Sequence, residues 1–220
     1  MTEPVRPIVT VDVALFSLQD SALSVALLPR DREPYAGRPA LIGGWIHVDE
    51  DAEAAATAAR VLREKAGLEV PYLEQLYTFS GPVRDPRGWS VSIAFIALVP
   101  PETLAEAGHP ELRATPVEAL PPLPFDHTEI VETAVRRLRG KATYSSLPAF
   151  LLPQHFTLAE LHAVYQQVIG TRLDRASFRR KIMDQGVVEP VEGQQRTGHF
   201  RPAQLYRLSE ATLTEFARTI

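Results

Sequence analysis

Apolar and polar positions along the chain follow two successive patterns. From Thr10 to Leu18 ("TVDVALFSL") and from Leu23 to Pro29 ("LSVALLP") apolar residues alternate or run together around a short polar turn, as in a β-hairpin. Two more such runs, Tyr72–Ser80 and Trp89–Val99, flank "GPVRDPRG", whose Asp85-Pro86-Arg87-Gly88 core is turn chemistry. Between the two pairs, Ala55, Ala59, Leu62 and Ala66 recur at helical spacing, with Asp49 or Asp51 as cap and Gly67 at the stop. A shorter strand near Leu112–Val117 and a helix from about Asp126 to Arg139 complete this mixed α/β part.

The pattern changes after Gly140. Thr157 and Glu160 have capping-box spacing, and Leu158, Leu161, Tyr165 and Val168 form an apolar stripe behind them. A second helix opens after Asp174, followed by a strand at Val187–Val191, a polar loop, and a strand beginning at Leu205. Two helices and then a hairpin with a basic tip is the plan of a winged helix-turn-helix. The expected organisation is therefore an N-terminal domain at 1–140 and a C-terminal domain at 141–220, with no internal repeat.

On the second helix Phe178 and Ile182 point together at about 100° per residue, so they face a core. The opposite arc carries Ala176, Ser177 and Arg180, and Arg175, Arg179 and Lys181 flank it. Short side chains and arginines toward base edges, with basic flanks toward phosphates, is the layout of a recognition helix. In the following loop Gln194, Gln195, Arg196, His199 and Arg201 are candidates for an adjacent groove or backbone. A charge run is more often a solvated face; its place on the helix before a hairpin favours DNA.

Composition narrows the classes. The chain has 220 residues, 45% hydrophobic and 23% charged, as an ordinary globular protein does. It has no cysteine, which excludes disulfide frameworks, zinc fingers and thiol nucleophiles. The six histidines are scattered without metal-ligand spacing. Residues 1–140 carry 13 basic against 20 acidic side chains, and residues 141–220 carry 10 against 7, so the two parts differ in sign. The apolar run near the N-terminus is short and alternating, a strand rather than a leader or membrane span, so the expected location is the cytoplasm.

The segment "IGGWIHVDEDAEAAATAARVLREKAGL" (Ile42–Leu68) carries the most specific signal. It resembles the Nudix signature, a Gly-Gly loop leading to a helix that ends in R-E-U-x-E-E-x-G-U, with U a bulky aliphatic. Here the ending reads Arg60-Val61-Leu62-Arg63-Glu64-Lys65-Ala66-Gly67-Leu68, so Val61 and Lys65 replace two of three clustered carboxylates. Glu50 follows Gly44 at the family spacing, but the stretch from Glu50 to Arg60 is two residues longer than the pattern. The opening is Ile42-Gly43-Gly44 where the family often has Pro-Gly-Gly. Magnesium on a diphosphate needs carboxylate oxygens, which valine and lysine do not supply. Little or no hydrolase activity is expected, with Glu64, helped by Glu50, the remaining acid.

Taken with the basic tail, the whole chain resembles the Nudix-related transcriptional regulators, through this box, "RDPRGWSVSIAFIALVP" (Arg84–Pro100), "FDHTEIVETAVRRLRGK" (Phe125–Lys141) and "FRRKI" (Phe178–Ile182). The resemblance implies an α+β protein: a Nudix-type α/β/α sandwich with a mixed sheet, then a winged helix. It implies a cytoplasmic homodimer that binds double-stranded operator DNA, senses ADP-ribose, a related NAD-pathway compound or in some branches a sugar, and uses no cofactor, metal or membrane. Expected effector contacts are Gly43 and Gly44 for close backbone approach, Arg38, Arg84 and Arg87 for diphosphate oxygens, Trp45 or Trp89 for a base, and Glu64. Two alternatives stay open: a pyrophosphatase acting on ADP-ribose or a similar diphosphate, and a protein-interaction module whose winged helix binds no DNA.

Overall fold

The computed structural model describes residues 6–197 and 202–220. The chain divides into two compact units, Met1–Val99 with Thr103–Ala134, and Pro100–Glu102 with Val135–Ile220. The helix that links them runs on without a break through Gly140.

In the first unit β1 (Ile8–Gln19) and β2 (Ala22–Pro29) form the expected hairpin. Its two-residue turn holds Asp20 (φ 47°) and Ser21 (φ 66°) in the left-handed region, which matches the strand twist of a tight hairpin. The short strands β3 (Pro39–Ala40) and β4 (Ile42–Trp45) follow, then α1 (Ala54–Ala66), β5 (Tyr72–Gly81), β6 (Ser90–Leu98), the short helix α2 (Pro101–Ala105) and β7 (Arg113–Pro116). The sheet is mixed, in the order β3-β2-β1-β6-β5, and among the described residues only β1 and β6 run parallel.

The feature that builds the site is a change of partner along β1. Its second half, Phe16–Gln19, pairs with β2, while Thr10–Val13 pairs antiparallel with β4. That register sets Gly43 opposite Asp12 and Gly44 opposite Val11. Helix α1 lies over this region, burying Ala58, Val61, Leu62 and Ala66 with Val11 and Val13 of β1. Gly67 ends α1 at φ 68°, and its amide donates to the Arg63 carbonyl as in an αL closure, with the Leu68 amide reaching the Leu62 carbonyl. The expected N-cap is corrected: α1 begins after Glu53, which makes no side-chain cap, and Asp51 instead serves an arginine described below.

Helix α3 (His127–Ala142) carries the chain from the first unit into the second. There a 3-10 turn (Leu147–Leu151) leads to the two-residue strand β8 (Phe156–Thr157), α4 (Leu158–Ile169), α5 (Arg175–Asp184), β9 (Val188–Arg196) and β10 (Ala203–Leu208). The capping box is present: Thr157 Oγ1 accepts the Glu160 amide, and a Glu160 carboxylate oxygen accepts the Thr157 amide. The core joins Leu161, Tyr165, Phe178, Ile182 and Val188. The Tyr165 hydroxyl, buried with them, donates to the Ser145 carbonyl at 2.8 Å. The wing is longer than the apolar pattern suggested, since Glu192–Arg196 belong to β9 and Ala203 and Gln204 to β10. Ladder hydrogen bonds extend a strand past the last apolar residue at no cost in exposed apolar surface.

Candidate functional site

A cavity of about 260 Å³ opens in the first unit, between the β1–β4 pairing, α1 and the loops after β2 and before α3. Its floor is a buried polar cluster. Ser92 Oγ donates to Asp12 Oδ2 at 2.6 Å, and His127 Nε2 lies 3.5 Å from Asp12 Oδ1. The Leu41 amide donates to His127 Nδ1 at 3.1 Å, so that nitrogen is an acceptor and the ring proton is assigned to Nε2, facing Asp12. Burial works to raise the Asp12 pKa, but His127, Ser92 and Arg84 outweigh it and hold the pKa at about 2.

The helix side of the cavity is set by Arg60. Its guanidinium makes a bidentate pair with Asp51 at 2.8 and 2.9 Å, reaches Glu64 at 3.1 Å and donates to the Trp45 carbonyl at 3.0 Å. Asp51 also accepts from Thr57 and from the His47 amide, and the Arg60 pairing holds its carboxyl far below the usual carboxylate range. One arginine thus holds the stretch between β4 and α1, through the Trp45 carbonyl and Asp51. One turn on, Lys65 donates its ammonium to the Gly43 carbonyl at 2.5 Å. Burial lowers the Lys65 pKa while Asp31 opposes the shift.

The third side is aromatic and basic. Phe125 and Tyr35 meet edge to face at 5.0 Å, and both have positive φ, 55° and 68°. The Arg30 guanidinium lies 4.7 Å over the Phe125 ring, while its Nε donates to the Pro34 carbonyl. Holding an aromatic residue in the left-handed region costs on the order of 1 kcal/mol, and of the two Phe125 lines the cavity while Tyr35 does not.

Six of the expected effector residues line this cavity: Gly43, Gly44, Trp45, Glu64, Arg84 and Arg87. Arg38 and Trp89 do not; Arg38 donates to the Pro122 carbonyl, and Trp89 stands half exposed outside. Glu50 lies outside too, beside His47. Roles also shift. The space above Gly43 is filled by the Asp12 carboxylate and that above Gly44 by Val61, so these glycines admit the protein's own side chains. Arg84 is tied to Asp126 by two hydrogen bonds and to Ser90 by a third, and Arg87 is tied to Asp85. Both brace the walls.

Sequence reasoning missed Asp12, Arg30, Phe125 and His127. Asp12 had a signal, a lone acid within an apolar strand; Phe125 and Tyr35 are brought together by loops distant in sequence and had none. The donor set does not suit a divalent metal: Val61 offers no oxygen, Glu64 is engaged by Arg60, and Lys65 places an ammonium on the Gly43 carbonyl.

In the second unit, Phe178 and Ile182 are buried and Arg175, Ala176, Arg179 and Arg180 are exposed, as the helical wheel expects, with Ser177 partly exposed. Asp174 caps α5 by accepting the Ser177 amide at 2.9 Å. Lys181 turns aside to the Thr219 carbonyl. Arg196, on the wing strand, reaches the His155 carbonyl and Glu160, which links the wing to the start of α4. His199 and Arg201 lie outside the described residues. Among the described residues, no helix is long and apolar enough to cross a membrane.

Residues 148–208 match the family model of the NrtR DNA-binding winged helix domain. The chain is 37% identical over 207 residues to the ADPR responsive transcriptional repressor NtrR of Acinetobacter baylyi, covering 92% of this chain and 82% of that protein. Among solved structures it resembles Shewanella oneidensis NrtR complexed with a 27mer DNA, with TM-score 0.88 and 35% identity over 96% of this chain and 99% of that one. It also resembles the NUDIX domain of Shewanella oneidensis NrtR complexed with ADP ribose, with TM-score 0.55 and 34% identity over 61% of this chain and 90% of that one.

Proposed function

This chain belongs to the NrtR family of Nudix-related transcriptional regulators, and from that premise we propose that it is a repressor whose hold on operator DNA is altered by ADP-ribose in the Nudix-type cavity. The observation that carries the reading is the division of α5 into two faces. Phe178 and Ile182 anchor one in the core, and Arg175, Arg179 and Arg180 stand exposed on the other, immediately before a β-wing. A helix so fixed presents cations at a defined spacing, which suits phosphates and guanine edges in a major groove.

The effector side rests on the cavity's chemistry. Arg30 and Lys65 supply positive charge, and Phe125, its ring packed edge to face on Tyr35, supplies an aromatic surface, which together suit a nucleotide diphosphate. Two copies would place two recognition helices on successive half-sites of a palindrome, and ligand would act by binding one arrangement of them better than another. The reading treats the cavity as a sensor rather than a hydrolase, supported by the replacement of box carboxylates by Val61 and Lys65.

The test is a mobility-shift titration of the full chain on its own upstream DNA, with and without ADP-ribose. A specific shift that ADP-ribose changes is expected. No shift in either condition sinks the DNA reading, and release of AMP from ADP-ribose with magnesium, abolished by Glu64→Gln, would establish the hydrolase instead.

A further inference from the structure

A diphosphate brings negative charge that its site must balance. In a Nudix box, clustered carboxylates do this indirectly by holding a divalent cation. In this chain the corresponding face of α1 has the opposite character. Val61 packs against Gly44 and is buried, and Glu64 is held by Arg60. Lys65 takes the place of the third carboxylate, lines the cavity and fixes its ammonium on the Gly43 carbonyl.

We propose that Lys65 is a built-in substitute for the metal: its ammonium, anchored on the Gly43 carbonyl, binds the diphosphate of the effector directly, and effector binding needs no divalent cation. The inference rests on the reading of the cavity as a nucleotide-diphosphate site. An ammonium has three donors, of which Gly43 takes one, so two remain for phosphate oxygens. The anchor removes rotamer freedom before the ligand arrives, so less entropy is lost on binding. Arg30 lines the same cavity and adds positive charge, while Arg32 beside it is paired with Asp31. A dication seated at the Gly43 carbonyl would meet the ammonium already there, and like charges at that separation repel strongly in a partly buried site. The same substitution that removes a metal ligand thus supplies the charge the metal provided.

The experiment is calorimetric titration of the full-length chain with ADP-ribose, first in EDTA and then with magnesium. Equal affinity in both buffers is expected. Lys65→Met should weaken binding by roughly tenfold to a hundredfold, as expected for losing a charge-assisted hydrogen bond, while Lys65→Arg keeps most of it. Thermal melting of each variant separates loss of contact from loss of fold, and the wild-type comparison in EDTA needs no variant. Binding by the wild type only with magnesium overturns this inference and leaves the effector reading standing. Wild-type affinity in a folded Lys65→Met protein also overturns it. No binding of ADP-ribose in either buffer overturns the inference and the effector reading together.

Discussion

Asp12 Oδ1 occupies the place that a β-carbon on residue 43 would take, so the acid at the cavity floor and the glycine of the β4 strand exclude any larger side chain between them. The antiparallel register of β1 and β4 sets the two residues opposite each other, and Ser92, His127 and Arg84 hold the carboxylate in place. Gly43→Ala should therefore destabilise the first unit by about 1–3 kcal/mol, the usual range for overpacking a closed site. Denaturant unfolding measures this, and a midpoint equal to wild type would show that the carboxylate can move aside.

The depressed Asp12 pKa makes stability depend on acid. The group sits at about 2 when folded, below its ordinary value of 3.8, so the folded state favours the charged form. Its contribution is fully present above pH 3.8 and is lost as pH falls through about 2. Integrated over that window the linkage is on the order of 2 kcal/mol. Asp12→Asn should flatten the fall in unfolding free energy between pH 4 and 2, while lowering stability at neutral pH; an unchanged acid limb refutes the assignment.

Arg60 and Glu64 are paired, yet they should respond very differently to substitution. The Arg60 side chain is 9% exposed and closes Asp51 and the Trp45 carbonyl, whereas the Glu64 side chain is 53% exposed. Glu64→Gln should change unfolding free energy by no more than about 0.5 kcal/mol, as for exposed helix pairs. Arg60→Met leaves the buried Asp51 carboxylate short of its main partner and should lower the melting temperature clearly. Thermal melts of the two variants side by side decide it, and equal shifts would contradict the buried role of Arg60.

On α5 the two faces give opposite signatures. Arg179→Ala and Arg180→Ala should leave the melting temperature unchanged, weaken DNA binding, and each reduce the slope of log affinity against log salt by about one if the side chain meets a phosphate. Phe178→Ala removes a ring packed 5.1 Å from Tyr165 and should cost about 3–5 kcal/mol. DNA binding measured across a salt series, beside melting curves, separates these outcomes; tight binding by the double arginine variant would remove the helix from the interface.

Thr157 closes the capping box of α4, and its partner Glu160 also receives Arg196 from the wing. Thr157→Ala should cost about 1 kcal/mol, as loss of an N-cap does. Hydrogen exchange should show faster opening at the start of α4; unaltered protection there would mean that the cap contributes nothing.

Much of this was legible in the chain. Apolar runs gave β1, β2, β5 and β6 nearly to their ends, because strands such as β1 and β2, buried on both faces, read as near-continuous apolar segments. The capping box, the Asp174 cap and the buried pair Phe178 and Ile182 were likewise visible, since caps and helical stripes are local devices. β4 and β8 were not, because β8 has two residues and β4 is Ile-Gly-Gly-Trp, in which the glycines leave no apolar alternation to read. Asp51 was misread as a helix cap, since sequence spacing cannot distinguish a carboxylate that caps from one that reaches Arg60 across a loop.

By itself the sequence determined the two units, the damaged box and the faces of α5, all of which rest on neighbours within a helical turn or a strand period. Only the tertiary structure decided which residues meet in the cavity. It brought Asp12 against Gly43 and His127, set Phe125 beside Tyr35, turned Arg84 and Arg87 into braces and left Arg38 and Trp89 outside. Those outcomes depend on the register between strands and on where long loops return, and no local pattern encodes either.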